Sequence, residues 1–138
     1  VLRDVNFDGY TDIGLTVDGG AKWGAEQYWL FDPKTKKFIT NQLTNDLRKM
    51  NHNEIRFDTS TERIITNNFI GPGVYKKTVY GIKNGRIVTL EDYEQEPVYK
   101  DDQPTGACIE TVKKDVRGTT HTRRETKTLE ECSGYSGI

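Results

Sequence analysis

Side chains that carry oxygen recur at alternate positions near the start of the chain, which reads Asp4-Val5-Asn6-Phe7-Asp8-Gly9-Tyr10-Thr11-Asp12. Aspartate or asparagine stands at loop positions 1, 3, 5 and 9, and glycine at position 6, which is the spacing of a calcium-binding loop. Alternate residues then point inward around a hard cation, while glycine allows the sharp turn that wraps the ion. The motif predicts a structural Ca²⁺ site whose ligands are the side chains of Asp4, Asn6, Asp8 and Asp12 and the carbonyl of Tyr10.

The residues that follow this loop point to a β-protein rather than to an EF-hand. Position 12 of the loop is Leu15, so the bidentate glutamate of an EF-hand is absent. Ile13, Leu15 and Val17 alternate with small or polar residues, which is the period of a strand. The loop is therefore expected to join β-structure, and the alternative is a turn rich in Asp and Asn that holds no metal.

Length and composition bound the class of protein. The chain has 138 residues, of which 33% are hydrophobic, and it is expected to form a single β domain over residues 1–138. A net charge of -1 does not indicate a nucleic-acid surface, and no apolar run approaches the length of a membrane span. Val1 lies almost inside the loop with no preceding Met, so we expect a trimmed piece of a longer exported precursor.

Turn signals divide the rest of the chain into hairpins. Four are predicted, over residues 27–40, 54–67, 75–91 and 108–129. Asn84-Gly85 is a strong hairpin turn for the third of them. A helical turn is expected over 45–50, and a charged linker over 92–105. The sum is a mostly β fold, an antiparallel meander of hairpins in a small propeller-like or sandwich arrangement with at most one short helix.

Residue types suited to catalysis are scarce. His52 and His121 are the two histidines, and both stand in polar stretches, so exposed positions are expected for both. Neither lies at metal-ligand spacing with a cysteine, and the chain has no Gly-x-Ser-x-Gly elbow and no phosphate loop. The sequence therefore predicts a protein that is not an enzyme.

Two loops and one acidic run are candidates for binding a partner. Lys22 and Trp23 stand in the glycine-rich loop 19–26, where an exposed Trp could anchor in a cleft of another protein, or could instead fold back onto the sheet. Tyr75 follows the loop Gly71-Pro72-Gly73, which can present a side chain. The acidic run that contains Glu94 and Glu96 could steer the chain toward a basic cleft, or could be a solvated linker.

The two cysteines, Cys108 and Cys132, bear on the compartment. An oxidising compartment would allow a bond between them, which would add about 3 kcal/mol on the chain-entropy estimate. A calcium loop with few carboxylates binds weakly and needs the high calcium found outside the cytosol. We expect the pair to be oxidised in the exported protein, and the alternative is two unrelated thiols.

Two blocks of the chain resemble the signature of a group of bacterial periplasmic proteins. The blocks are Asp4 to Ile13, "DVNFDGYTDI", and Tyr28 to Phe38, "YWLFDPKTKKF". The group includes calcium-loop lysozyme inhibitors that serve as immunity proteins for secreted cell-wall hydrolases. The similarity is close over residues 4–38, looser over 54–91, and a general β-pattern beyond 100. Lys-Thr-Lys-Lys stands where the family often has Lys-Thr-Gly, which leaves the hairpin intact.

This resemblance implies a calcium-stabilised, mostly β, periplasmic protein that binds and blocks a peptidoglycan hydrolase. Members are often lipid-anchored, and such an anchor would lie before Val1. It implies a protein partner, while the residues themselves indicate no catalytic group and the charge indicates no nucleic-acid partner. The alternative is a non-catalytic, calcium-stabilised adhesion or scaffold module.

Overall fold

The computed structural model describes residues 2–17, 25–128 and 130–132. Strands make up 66% of the described residues, in two antiparallel sheets with one short helix. The prediction of a mostly β protein built from antiparallel hairpins, with at most one short helix, is confirmed. Within the described residues, no helix is both long enough and apolar enough to cross a membrane.

The first sheet has four strands in chain order, β1 (Leu2–Arg3), β2 (Asp12–Val17), β3 (Ala25–Asp32) and β4 (Lys37–Ile39). Leu2 lies opposite Ile13, and Ile13 lies opposite Trp29. This register places the predicted calcium loop directly between β1 and β2. The predicted hairpin over 27–40 is present as β3 and β4, closed by a 2.7 Å hydrogen bond from Lys36 N to Asp32 O.

Helix α1 (Gln42–Arg48) follows β4 and packs against β3. Asn41 caps it, because the Asn41 side chain accepts a hydrogen bond from Thr44 N at 3.1 Å while Thr44 Oγ1 accepts one from Asn41 N at 2.8 Å. Such a cap contributes about 1 kcal/mol. The helical turn predicted over 45–50 thus begins earlier, at a cap built from asparagine and threonine, and buries Leu43 and Leu47.

The second sheet is a meander in the spatial order β10-β9-β8-β7-β6-β5. Its strands are β5 (Glu54–Asp58), β6 (Arg63–Gly71), β7 (Val74–Lys83), β8 (Arg86–Lys100), β9 (Gln103–Val116) and β10 (Thr119–Lys127). The three hairpins predicted here are all present. Asn84 and Gly85 have φ of 52° and 70°, as a hairpin turn with two left-handed residues requires.

The linker expected over 92–105 is wrong, because this segment is the end of β8 and the start of β9. Asp101 and Asp102, with φ of 50° and 59°, form the turn that joins the two strands. Aspartate is tolerated in the left-handed region, so two aspartates replace the Asn-Gly that would have signalled this hairpin. Pro97 is accommodated because the pairing of β8 with β9 is irregular between residues Pro97 and Tyr99 of β8.

Two compact units are distinguished along the chain. The first is Val1–Thr66 with Tyr80–Val88, and the second is Asn67–Val79 with Thr89–Ile138. The prediction of one domain over 1–138 stays a prediction. The first unit contains a cluster of buried hydrophobic residues, which are Val5, Tyr28, Leu30, Leu43, Leu47 and Ile64.

Among the described residues of the second unit, the buried hydrophobic ones are Cys108 and Val112, and the buried polar ones are Thr78, Gln95 and Glu110. Cys108 and Cys132 form a disulfide, which confirms the predicted pairing. The disulfide joins the first half of β9, which contains Cys108, to the segment after β10, which contains Cys132.

Candidate functional site

The predicted calcium loop folds around the carboxylates of its first two aspartates. Asp4 accepts hydrogen bonds from Asp8 N at 3.1 Å and from Gly9 N at 2.8 Å. Asp8 accepts one from Tyr10 N at 2.9 Å. Gly9 has φ of 89°, a conformation in which L side chains are strained, and this is the physical reason for glycine at loop position 6.

Asp12 joins the loop to the first sheet. Its Oδ2 accepts a hydrogen bond from Val5 N and its Oδ1 one from Phe31 N, both at 2.9 Å. The side chain is fully buried, and burial raises the pKa of Asp12 above its usual value although the two backbone donors oppose this. Negative charge on Asp8 and Asp4 raises the pKa of Asp12 further.

The chemistry of the donors fits a hard cation. Asn6 Oδ1 is buried and has no hydrogen-bond partner among the described residues, while Asn6 Nδ2 donates to Asp8 Oδ2 at 2.9 Å. A buried oxygen without a donor is a group that Ca²⁺ would satisfy. Among the described residues, no group of three or more His, Cys, Asp or Glu is placed to hold a metal ion. Calcium binding therefore stays a prediction.

The predicted calcium ligand from Tyr10 is its carbonyl oxygen. The side chain of Tyr10 lies outside the loop. The Tyr10 ring packs on Phe31 at 5.5 Å between centroids, and Phe31 packs on Phe38 at 5.6 Å. This aromatic row connects the loop to β3 and β4. It fixes the position of the loop independently of the Asp12 hydrogen bonds.

Tyr75 lies near the start of β7 in the second unit, within an aromatic cluster. Its ring contacts Phe69 at 5.5 Å and Tyr93 at 6.0 Å between centroids. Its hydroxyl donates to Asn67 Oδ1 at 2.6 Å. Tyr75 is half-buried. It is therefore a supported side chain on a sheet face and does not project from the Gly71-Pro72-Gly73 loop.

Glu94 and Glu96 lie on the opposite face of the same sheet. Glu94 is paired with Thr111 and Glu96 with Ile109, whereas Tyr93 is paired with Val112. Successive side chains of a strand point to opposite faces, so Tyr93 and its neighbour Tyr75 share one face and the two glutamates the other. The structure does not bring these predicted partner-binding residues together. Lys22 and Trp23 lie outside the described residues, and their roles stay predictions.

A charged network that the sequence analysis missed is centred on Glu110. This carboxylate is 6% exposed and binds Lys127 Nζ at 2.7 Å, Arg123 Nη2 at 3.3 Å and the Tyr93 hydroxyl at 3.1 Å. Burial acts to raise the pKa of Glu110, but the donors outweigh it and leave the pKa below its usual value. The cross-strand spacing of these charges could have been found only with the register of β8, β9 and β10 in hand.

The expectation that both histidines are exposed is wrong for His52. This side chain is 5% exposed, and its Nδ1 has no hydrogen-bond partner among the described residues. Burial lowers the pKa of His52, and the nearby Glu26 carboxylate, which accepts a hydrogen bond from Tyr28, partly offsets this. His121 is exposed, as expected. The neighbouring Asn51 and Asn53 are exposed although His52 is buried, so local composition gave the wrong answer.

Comparison with known proteins gives one informative result. No protein-family profile matches the chain, and no curated protein sequence matches it either. A solved structure, described as that of a Xanthomonas type IV secretion system related protein, resembles this chain with a TM-score of 0.63 and 16% sequence identity. The match covers 88% of this chain and 56% of that one, so the chain spans little more than half of that structure's length. At 16% identity the likeness shows a shared fold.

Proposed function

We propose that this protein is an exported, non-catalytic inhibitor that binds and blocks a secreted bacterial cell-wall hydrolase, as an immunity protein does. The observation that carries the proposal is the likeness, over 88% of the chain, to a protein described as related to a type IV secretion system. The two sequence blocks that resemble periplasmic lysozyme inhibitors point the same way. The disulfide between Cys108 and Cys132 suits an oxidising compartment such as the periplasm.

Calcium has a structural role in this proposal. Asp4, Asn6, Asp8 and Asp12, with the carbonyl of Tyr10, would hold Ca²⁺, which would supply positive charge to a loop rich in carboxylates. The chain's own contribution is rigidity, because Asp12 fixes the loop to Val5 and Phe31 through two backbone hydrogen bonds.

The interface of the inhibitor uses one face of the second sheet. Tyr75 and the pair Glu94 and Glu96 lie on opposite faces, so one flat contact cannot include all three. An aromatic side chain held by its neighbours is a typical binding hot spot, whereas exposed carboxylates chiefly steer the approach to a basic cleft. Tyr75 is therefore the proposed anchor on this face, and Glu94 and Glu96 act on the association rate. Trp23, outside the described residues, stays the other anchor that the sequence predicts.

Inhibition is tested by the clearing of purified peptidoglycan by a lysozyme-type muramidase and by an N-acetylmuramoyl amidase, each with and without the full chain. The wild type is expected to slow one of the two enzymes at stoichiometric concentration. Trp23→Ala or Tyr75→Ala should weaken that inhibition roughly thirtyfold, as loss of an aromatic anchor does. Tyr75→Phe is the matched control, since it keeps the ring and loses only the bond to Asn67.

Glu94→Gln with Glu96→Gln should lower the association rate and its dependence on salt, with little change in the dissociation rate. Pull-down of secreted proteins of the same organism widens the search beyond these two enzymes. If no cell-wall hydrolase is bound or slowed, the inhibitor proposal fails, and the non-catalytic adhesion or scaffold module takes its place.

A further inference from the structure

A shallow cleft of about 310 Å³ lies on one face of β9 and β10 in the second unit. Val112, Lys114 and Val116 line it from β9, and His121 and Arg123 from β10. His121 is paired with Lys114 and Arg123 with Val112, so these side chains share one face by the register of the hairpin. The cleft thus combines an apolar floor of two valines with a rim of basic side chains.

The basic rim retains charge to offer a ligand. The side chains of Lys114 and Arg123 are 58% and 62% exposed. Lys114 lies 3.9 Å from Glu91, too far for a hydrogen bond. Arg123 contacts Glu110 at 3.3 Å, but Lys127 binds the same carboxylate more closely, at 2.7 Å. Arg123 can therefore turn to another anion without leaving Glu110 unpaired.

The hairpin of β9 and β10 as a whole also carries net positive charge. Residues 108–127 contain six Lys or Arg and three Asp or Glu, whereas the whole chain has a net charge of -1. Residues 86–100, which form β8, contain two Lys or Arg and four Asp or Glu. The β9–β10 hairpin therefore carries net positive charge beside the net negative strand β8.

The strand β10 is the terminal strand in the order of its sheet. Within the described part of the chain, its outer edge has no strand paired to it. Thr119 to Thr126 are exposed, and the strand is rich in β-branched threonine, which favours an extended backbone. Such an edge can accept an extended peptide as an additional strand, with side chains of alternate residues entering pockets on one face.

We propose that the cleft and the outer edge of β10 together bind an acidic, extended peptide segment of a protein partner. Main-chain groups of the segment pair with β10. Its carboxylates lie against His121 and Arg123 and reach Lys114, and an apolar side chain covers Val112 and Val116. This surface goes beyond the inhibition proposed above and does not depend on it.

A nucleic acid fits this surface less well. The long phosphate backbone would run from the basic hairpin over the acidic strand β8, which contains Glu91, Glu94 and Glu96. The residues that line the cleft are aliphatic, polar or basic and include no Phe, Tyr or Trp on which bases could stack. A short segment that alternates acidic and apolar residues matches the charge, the apolar floor and the strand period at once.

The test uses the full chain and a short capped peptide in which glutamate alternates with valine, with a glutamine-for-glutamate peptide as control. Hydrogen–deuterium exchange of the wild type is measured with each peptide. The acidic peptide should slow exchange of the β10 amides, because they become paired, and the glutamine peptide should do so much less. Affinity measured by titration calorimetry should fall as salt is raised.

Two double variants distinguish the effect of charge on the cleft face from the effect of the overall charge of the hairpin. K114Q with R123Q removes two cations from the cleft face, and K113Q with R124Q removes two from the opposite face of the same strands. The first should weaken binding roughly tenfold and the second less than about threefold. Melting curves show whether each variant is folded.

Several results would overturn the proposal. One is an absence of any binding of the acidic peptide by the wild type. Others are equal losses in the two double variants, protection of strands other than β10, or displacement of the peptide by a single-stranded oligonucleotide of similar charge at similar concentration. The exchange measurement needs no variant, so misfolding of K114Q with R123Q would leave the proposal decidable.

Discussion

The two units of this protein are stabilised in different ways. The first has a cluster of buried hydrophobic side chains beneath helix α1, and its predicted calcium loop is fixed by backbone donors to Asp12. In the second, a disulfide and the buried Glu110 network accompany few buried hydrophobic residues. The cause is geometric. Helix α1 covers one face of β3, whereas β10 has exposed residues along nearly its whole length.

This difference suggests where the protein tolerates change. A hydrophobic cluster loses stability when any member is made smaller, because the cavity that remains has no atoms to fill it. The stability of the second unit depends instead on a disulfide and a few charged pairs. The surfaces proposed for binding, around Tyr75 and on β10, lie in the second unit, where side chains are not all committed to a core.

The largest expected effect is truncation in the first unit. Leu47 is 1% exposed in the hydrophobic cluster, so Leu47→Ala should reduce the free energy of unfolding by about 3 to 4 kcal/mol. Val112→Ala, in the second unit, removes two carbons where Leu47→Ala removes three, and should cost about 1.5 kcal/mol. Urea unfolding measures both. Equal costs would mean that the second unit is packed as tightly as the first.

Loss of the disulfide should have the next largest effect. Cys108 and Cys132 are separated by 24 positions, and a bond over such a loop contributes about 3 kcal/mol on the chain-entropy estimate. Cys108→Ala with Cys132→Ala should speed hydrogen exchange in β9 and β10 and leave exchange in α1 nearly unchanged. If α1 exchanges faster to the same extent, the two units do not differ in the way described.

Calcium should stabilise the first unit. A ligand bound only by the folded state adds about 2.7 kcal/mol when its free concentration is a hundred times Kd, so excess calcium should raise Tm relative to chelator. Asp8→Ala should remove this response. Asp58→Ala is the matched control, because Asp58 caps an ordinary turn through Ser60 at 2.7 Å, and it should keep the response. Identical melting curves with calcium and chelator would exclude a stabilising calcium site.

The smallest expected effect is the pH dependence due to His52. Burial lowers the pKa of His52 in the folded state, so the unfolded chain binds a proton more readily. Stability should therefore fall as pH drops below about 6.5, the ordinary histidine value, and level off below the folded pKa. His52→Gln should flatten this part of the profile. His121→Gln, at an exposed site, should leave it unchanged, and a reversed slope would contradict the assignment.

The sequence predicted much of the fold because its strongest signals are local. Asn84-Gly85 requires two left-handed residues, and alternation in Ile13, Leu15 and Val17 marks one strand face. The same reasoning failed over 92–105, where Asp101 and Asp102 form the turn. It also failed for His52, since burial depends on residues distant in sequence.

The amino-acid sequence by itself determined the β class, four of the hairpins, the loop of alternating oxygens and the pair of cysteines. These depend on backbone preferences and spacings within a few residues, or on a cysteine count. Only the tertiary structure decided that Tyr75 and Glu94 lie on opposite faces and that Lys114, His121 and Arg123 meet around one cleft. Register decides both, because a shift by one residue moves every side chain of a strand to the other face, and register is set by long-range pairing.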